Sequence, residues 1–194
     1  MAHIGMKYPV AAPWKEGNTY DKGFVVAKAI NFTGTPNKNE VELYADDGVA
    51  ETDRSVKDWG TSLGVDDLSL KVQADLLGHK YVEASGEDDT GTPESIEVGT
   101  DDEPPFFGMG FYKRRKKNGV VSFTAIWLYK VQNSEPTENA ETKGDTVNFQ
   151  TATIEGKAYP VEVDGKMSIG KKLIFKTEAA AKKWLETQAK ISEG

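Results

Sequence analysis

The residue types best suited to proton transfer or metal binding are scarce in this chain. Histidine occurs only at His3 and His79, and cysteine is absent. A catalytic triad would depend on His79, which we place at the surface or an edge because it follows the helix-ending Gly78. A histidine metal site would need His3 as a second ligand, and we expect His3 to lie in a frayed terminus. The lack of cysteine excludes disulfides, thiolate nucleophiles and cysteine-based zinc sites.

Pairs of aspartates are the next candidates, because carboxylates bind calcium. They occur at residues 46–47, 66–67, 88–89 and 101–102. None follows the alternating acidic spacing of an EF-hand loop. We therefore interpret them as turn, helix-cap and solvated-loop residues, and we predict no metal.

A glycine-rich segment, GKMSIGKK at residues 165–172, differs by one residue from the phosphate-loop pattern. Lys172 stands where a hydroxyl would hold magnesium. The following LIFKT favours a strand, whereas a phosphate loop needs a helix there. We predict a hairpin at this point, with no cofactor and no catalytic residue.

Most of the chain has the hydrophobic pattern of strands. GFVVAKAINFTG, NEVELYADDG, VKDWGTSLGV and DTVNFQTATIEGKAYPVEV are rich in β-branched and aromatic residues and are bounded by turn residues. The longest hairpin is predicted to turn at Asn118-Gly119. Its return strand, which contains Trp127, is apolar in both phases. Such a strand lies deep in a sandwich or presents one face to another subunit.

Two helices interrupt this pattern. Leu68, Val72 and Leu76 share one helix face, with Asp66 or Asp67 as the expected N-cap and Gly78 as the C-cap.

The second helix is expected to start at Thr177. Ala180, Trp184 and Gln188 share a face there, so Trp184 would be its strong anchor.

These elements predict a single domain, 1–194, of the mainly β class: a β-sandwich or barrel with one flanking helix and a C-terminal helix. Residues 85–105 are acidic and rich in glycine and proline, which predicts a long mobile loop. The organisation of residues 159–194 is less well defined. No apolar run is long enough to span a bilayer, and we find no signal peptide.

Charge points to possible partners. The net charge of −7 opposes non-specific binding to DNA. Within this acidic chain, YKRRKKNG is a basic run. It could contact nucleic acid, form a solvated hairpin tip, or meet an acidic loop of a neighbouring copy. The candidate inter-subunit contacts are Lys113, Arg114, Arg115, Lys116 and Lys117 on the basic side, and Asp88, Asp89, Asp101 and Asp102 on the acidic side.

The order of several motifs resembles the major tail proteins of bacteriophages with long, non-contractile tails. LYADDG comes first, then GVDDLS before a short helix ending in LLG, then WLYKV, then TKGD and FQTATIEG. The resemblance covers about residues 41–157.

The resemblance implies a tail tube subunit that forms hexameric rings, which stack into a tube around a channel. The implied partners are other copies of itself and the tape measure, tail terminator and distal tail proteins, with DNA passing through without specific binding. It implies a structural protein of the virion, assembled in the bacterial cytoplasm, with no enzymatic activity and no membrane anchor. The acidic composition suits a channel along which a phosphate polymer slides.

Two other classes of function remain open at this point. One is a different phage β-module, such as a tail terminator, a head–tail connector or an adhesin domain. The other is a carbohydrate-binding β-sandwich, for which Trp14 and Tyr20 would be exposed aromatic contacts.

Overall fold

Strands dominate the computed structural model, which describes residues 2–39, 41–45, 48–53, 55–86, 91–136 and 151–191. The predicted mainly β class is therefore confirmed. The strands are β1 (Ala2–Lys15), β2 (Thr19–Tyr20), β3 (Phe24–Val25), β4 (Ala29–Lys38), β5 (Val41–Ala45), β6 (Gly48–Asp53), β7 (Val56–Val65), β8 (Lys80–Val82), β9 (Ser95–Glu97), β10 (Phe106–Lys117), β11 (Val120–Asn133), β12 (Ala152–Ala158), β13 (Val161–Val163), β14 (Lys166–Ser168) and β15 (Gly170–Phe175). The helices are α1 (Leu70–Leu77) and α2 (Glu178–Ala189). Neither is long and apolar enough to cross a membrane, and no other described segment is helical.

A nine-stranded antiparallel sheet organises the described part of the chain. Its order is β2-β1-β10-β11-β12-β7-β4, with β3 beside β1 and β15 beside β11. Strand β11 has two different neighbours along its length. Residues 123–128 pair with β15, and residues 131–133 pair with β12. The sheet therefore divides at β11 into a β15 arm and a β12-β7-β4 arm.

The β10–β11 hairpin is the centre of the fold. It turns at Asn118-Gly119, as predicted, and both residues have positive φ angles, of 49° and 80°. Alternate residues of the hairpin point to opposite faces. Each face enters a separate hydrophobic core. Core one contains, among others, Leu63, Phe107, Phe111, Ile126, Leu128 and Ile154, and core two contains Val10, Tyr20, Ala125, Trp127, Ala181 and Leu185.

Both apolar faces of β11 are thus covered within one chain. Trp127 is fully buried, and its neighbours Ile126 and Leu128 are 5% and 3% exposed. Core one closes one face, and α2 closes the other. Covering the apolar residues around Trp127 therefore does not require a second subunit, which corrects one of the two explanations that the sequence left open.

Two glycines of β10 make room for Trp127. A Cβ atom on Gly108 would lie 2.4 Å from Cζ2 of Trp127, and one on Gly110 would lie 2.5 Å from its Cε3. Real Cβ atoms do not approach so closely, so only glycine lets the indole lie flat against this strand. The sequence FFGMGF is therefore a packing motif.

Helix α2 starts as predicted but buries a different face. The Oγ1 of Thr177 accepts a hydrogen bond from the backbone N–H of Ala180, at 3.3 Å. The buried residues are Ala181, Leu185 and Ala189, whereas Trp184 is only half-buried. The predicted face of Ala180, Trp184 and Gln188 is wrong, because a shallow stripe of small residues lets the helix approach the sheet closely.

Helix α1 also begins differently from the prediction. Its N-cap is Ser69, whose Oγ accepts from the N–H of Val72, rather than Asp66 or Asp67. Asp66 instead accepts a hydrogen bond from the backbone N–H of Lys28, at 3.0 Å. The left-handed C-cap at Gly78, with a φ of 79°, is confirmed.

Further predictions concern strand limits and connections. The continuous strand expected over residues 23–34 is divided into β3, which pairs with β1, and β4, which pairs with β7. The hairpin predicted near residues 165–172 is present as β13–β14 and turns at Asp164-Gly165. The segment 85–105 is not wholly a loop, because it contains β9, which pairs with β8. Of the strand predicted from residue 145, the part up to residue 150 lies outside the described residues.

Candidate functional site

The basic run at residues 113–117 belongs to strand β10, not to the hairpin turn itself. Because side chains alternate along a strand, Lys113 and Arg115 share the face of Phe111 in core one. Arg114 and Lys116 lie on the α2 side and are exposed. The five cations are therefore divided between two surfaces and do not form one patch.

The four aspartates predicted to contact the basic run differ in their positions in the structure. Asp88 and Asp89 lie outside the described residues. Asp101 is exposed. The carboxylate of Asp102 is engaged in its own chain, where it accepts a hydrogen bond from the backbone N–H of Gly99 at 2.8 Å. A contact between these acidic residues and the basic run of another copy stays a prediction.

The second partner of Asp102 is His79. His79 was expected at the surface or an edge; the residue is half-buried, and its side chain is only 4% exposed. Its Nδ1 donates a hydrogen bond to Oδ2 of Asp102 at 2.7 Å, and its Nε2 lies 2.8 Å from Oε1 of Glu135. The ring therefore links the end of α1 to the chain before β10 and to the chain after β11.

The charge state of His79 follows from these contacts. Burial alone lowers the pKa of His79, but hydrogen bonds to Asp102 and Glu135 outweigh it, so the pKa is raised above 6.5. The hydrogen bond from His79 lowers the pKa of Asp102, and the Gly99 N–H acts in the same direction. Together these groups form an ionic clasp between distant parts of the sequence.

This clasp is ill suited to catalysis. Both ring nitrogens of His79 are engaged with carboxylates, so neither is available to accept a proton from a nucleophile. The two carboxylates bond opposite sides of the ring and cannot share a metal ion with it. No group of three or more His, Asp or Glu side chains in the described residues is arranged to hold a metal.

Tyrosine–glutamate pairs form a second polar network, which fixes α2 to the sheet. The hydroxyl of Tyr112 donates to Glu178 at 2.6 Å, and that of Tyr8 donates to Glu186 at 2.9 Å. Burial and then the bond to Glu186 raise the pKa of Tyr8 to about 12, and burial and then the bond to Glu178 raise the pKa of Tyr112. Both phenols are therefore neutral hydrogen-bond donors at neutral pH, with a structural role.

The aromatic residues considered for carbohydrate binding are not free for it. Tyr20 is 8% exposed, and its hydroxyl donates to the carbonyl of Tyr129 while it accepts from Nε1 of Trp127. Trp14 is half-buried and is covered by the ammonium of Lys130, 4.1 Å from its ring centroid. The exposed aromatic platform expected from the sequence is therefore not formed by these two residues.

Four strands of the large sheet, β2, β3, β4 and β15, have a neighbour on one side only among the described residues, and β4 and β15 are the two longest of them. Strand β4 pairs with β7 on one side only, and β15 pairs with β11 on one side only. Each carries an exposed large apolar residue, Ile30 on β4 at 49% and Ile174 on β15 at 60%. An open edge presents backbone N–H and C=O groups that can pair with another chain.

A scan of the chain against protein-family models gives no match. A search of curated proteins gives no significant match either.

Proposed function

We propose that this protein is a self-assembling structural protein, the subunit of a phage tail tube built from stacked hexameric rings. The observation that carries the proposal is that β4 and β15, the two longest strands with a neighbour on one side only, each leave an open edge in the described part of the chain. A chain with two different open edges can join its copies edge to edge. Such a heterologous contact closes into a ring when the rotation per subunit allows it.

The remaining chemistry of the chain is consistent with this role. In the described residues the histidine is enclosed by carboxylates, and the buried tyrosines hold α2. These groups stabilise the subunit and leave its surfaces for contact with other copies. The net charge of −7 opposes adhesion of DNA to a channel made by such subunits. The motif order described above is the reason for choosing a tail tube among ring-forming assemblies.

The test is negative-stain electron microscopy of concentrated protein. We expect rings or tubes for the wild type. Ile30→Lys and Ile174→Lys, which place a charge on each open edge, should remain monomeric with an unchanged thermal unfolding midpoint. Met167→Lys is the matched control, because Met167 is 67% exposed on the separate β13–β14 hairpin and should not affect assembly.

Each result bears on the proposal. Long tubes favour a tube subunit over a tail terminator or connector, which would stop at a single ring. A wild-type protein that stays monomeric at every concentration and salt condition would contradict the proposal. So would edge variants that assemble as well as the wild type.

A further inference from the structure

Lysines line two of the concave surfaces formed by the described residues, and the lysine charges of these two surfaces are balanced differently. The larger is a groove of about 740 Å³ between β1, the segment before β4 and the start of α2. Each of its three lysines has a carboxylate partner: Lys7 with Glu178 at 3.1 Å, Lys28 with Asp66 at 3.7 Å and Lys182 with Glu186 at 3.5 Å. The cationic groups of the larger groove are thus already neutralised.

The smaller surface is a cleft of about 360 Å³ at the point where the two arms of the sheet diverge. Its walls come from β4 and β7 on one arm, from β15 on the other, and from β1, β10 and β11 between them. The apolar lining is formed mainly by Phe32, Trp59, Phe111, Ile126 and Leu128, and the polar side chains are those of Lys113 and Lys172. We call this surface the arm cleft. No carboxylate lines it.

The two lysines of the arm cleft approach an aromatic surface. The Nζ of Lys172 lies 5.2 Å from the ring centroid of Trp59. Burial lowers the pKa of Lys113, and the positive charge of Lys172 lowers it further. Neither lysine forms an ion pair with any side chain in the part of the chain that the structure describes.

Lys113 is half-buried and Lys172 is exposed, so a desolvation cost falls mainly on the charge of Lys113. Lys113 has no carboxylate partner among the described residues, whereas each lysine of the larger groove has one. A bound anion would remove the repulsion between the two ammonium groups. An apolar body attached to that anion would cover Trp59 and the neighbouring side chains.

We propose that the arm cleft is a binding site for an organic anion, with the negative group between Lys113 and Lys172 and an apolar or aromatic body against Trp59. Its volume lies within the range of about 300–1,000 Å³ that is typical of small-molecule sites. The lining of the cleft is also typical of such sites, because it is mainly apolar with a few convergent polar groups. Side chains of β4 and β15 help to line the arm cleft, but its lysines and apolar walls all come from a single chain, so this proposal does not rest on the proposed assembly.

The test uses a pair of probes that differ only in charge. 1-Anilinonaphthalene-8-sulfonate has an aromatic body and one sulfonate, and N-phenyl-1-naphthylamine is the same body without the sulfonate. Fluorescence titration of dilute protein should show one saturable site that binds the anion at least about 10-fold more tightly than the neutral probe. Equal affinity for the two probes would overturn the proposal, because an apolar patch alone would then explain the binding.

Charge variants locate the site. Lys113→Gln and Lys172→Gln should each weaken sulfonate binding by about 10-fold or more and leave the neutral probe unaffected. The matched control is Lys171→Gln, because Lys171 precedes Lys172 on β15, is exposed, and points to the opposite face. If Lys171→Gln weakens binding as much as Lys172→Gln, the arm cleft is not the site. Far-UV circular dichroism verifies that all three variants are folded.

The same titration identifies the source of the natural anion. If a carboxylate side chain of a second copy fills the cleft, raising the protein concentration until rings form should displace the sulfonate probe. If the ligand is a free organic acid, the probe should stay bound in the assembled protein. Failure to assemble would contradict the proposed function but leave probe binding measurable, so the two proposals can fail separately.

Discussion

The face of the β10–β11 hairpin that carries Trp127 is sealed by α2, whereas the opposite face ends in the open arm cleft. On the sealed face, Leu185 and Ala181 pack against Trp127, and two tyrosine–glutamate bonds fix the helix. On the open face, core one stops at Phe111, and two lysines follow where the two arms separate. The same two strands thus support a packed interior on one side and a recess on the other.

The two faces of the hairpin therefore differ in role: the face covered by α2 stabilises the fold, and the arm cleft on the other face is available for binding. A side chain enclosed by fixed neighbours contributes its burial to folding, and any change there leaves a cavity or a clash. Of the side chains that line the arm cleft, Lys113 is half-buried and Lys172 is exposed, so changes there mainly alter what can bind, whereas Phe111, Ile126 and Leu128 belong to core one. We therefore expect substitutions of buried residues on the face covered by α2 to affect the unfolding free energy strongly. Substitutions of the two cleft lysines and at the hairpin end should have smaller effects.

The largest effect is expected for Trp127→Ala. This change removes a fully buried indole and leaves the hydroxyl of Tyr20 without its N–H donor. The free energy of unfolding, measured by urea denaturation, should fall by about 3–5 kcal/mol. Trp184→Ala, on α2 and half-buried, is the control and should cost clearly less. A loss below about 1 kcal/mol for Trp127→Ala would mean that the packing of α2 against Trp127 contributes little to stability.

A second test adds volume instead of removing it. In Gly110→Ala the new methyl group would lie 2.5 Å from Cε3 of Trp127 and 2.8 Å from Cδ2 of Leu185. This overpacking should cost about 1–3 kcal/mol of unfolding free energy. Gly60→Ala is the matched control in another strand, because its nearest neighbour would be the carbonyl oxygen of Thr35 at 3.9 Å. If the two substitutions lower the unfolding free energy equally, the close fit between Gly110 and Trp127 does not explain the loss.

Local signals in the sequence predict much of the fold. Strand β7, the turn at Asn118-Gly119 and the helix boundaries at Gly78 and Thr177 each depend on a few adjacent residues, and the structure confirms them. The buried face of α2 was predicted wrongly because Ala181 and Ala189 carry little hydrophobic signal. Alanines become interior residues only when a partner surface comes close, and that depends on the tertiary fold.

Long-range contacts account for what the sequence did not reveal at the candidate sites. His79 bonds to Asp102 and Glu135, which are 23 and 56 residues away along the chain. The arm cleft brings together Trp59, Lys113 and Lys172 from three separate strands. No local pattern links such residues, so the clasp and the cleft emerge only once the strand order is known.

The clasp predicts a pH-dependent contribution to stability that is smaller than the core effects. The folded-state pKa of His79 is raised above 6.5, so its contribution is fully present below pH 6.5 and is lost as the pH rises through the folded pKa. The pKa of Asp102 is lowered below 3.8, so its contribution is present above pH 3.8 and is lost at lower pH. The clasp should therefore be strongest between these two values.

Thermal unfolding of wild type and His79→Gln across this range measures the effect. The difference in midpoint should be greatest near pH 5–6 and should diminish in alkaline solution. His3→Gln, at the only other histidine, should not alter this profile. A constant difference at all pH values would show that His79 acts through packing and not through its charge.

The smallest effect on stability is expected at the end of the hairpin, beyond both faces. Arg114 and Lys116 are exposed and form no direct ion pair with a described residue, although the charge of Arg114 helps to lower the pKa of Glu178. Converting both to Glu should therefore change the unfolding free energy by only about 0.5 kcal/mol. If the basic run meets acidic residues of another copy, the same variant should assemble poorly, as measured by the yield of rings or tubes in electron micrographs. Arg115 is unsuitable for this test because its Nε is buried, so reversing its charge would disturb folding as well. If the variant loses stability as strongly as it loses assembly, Arg114 and Lys116 contribute to the fold of the subunit and not specifically to contacts between copies.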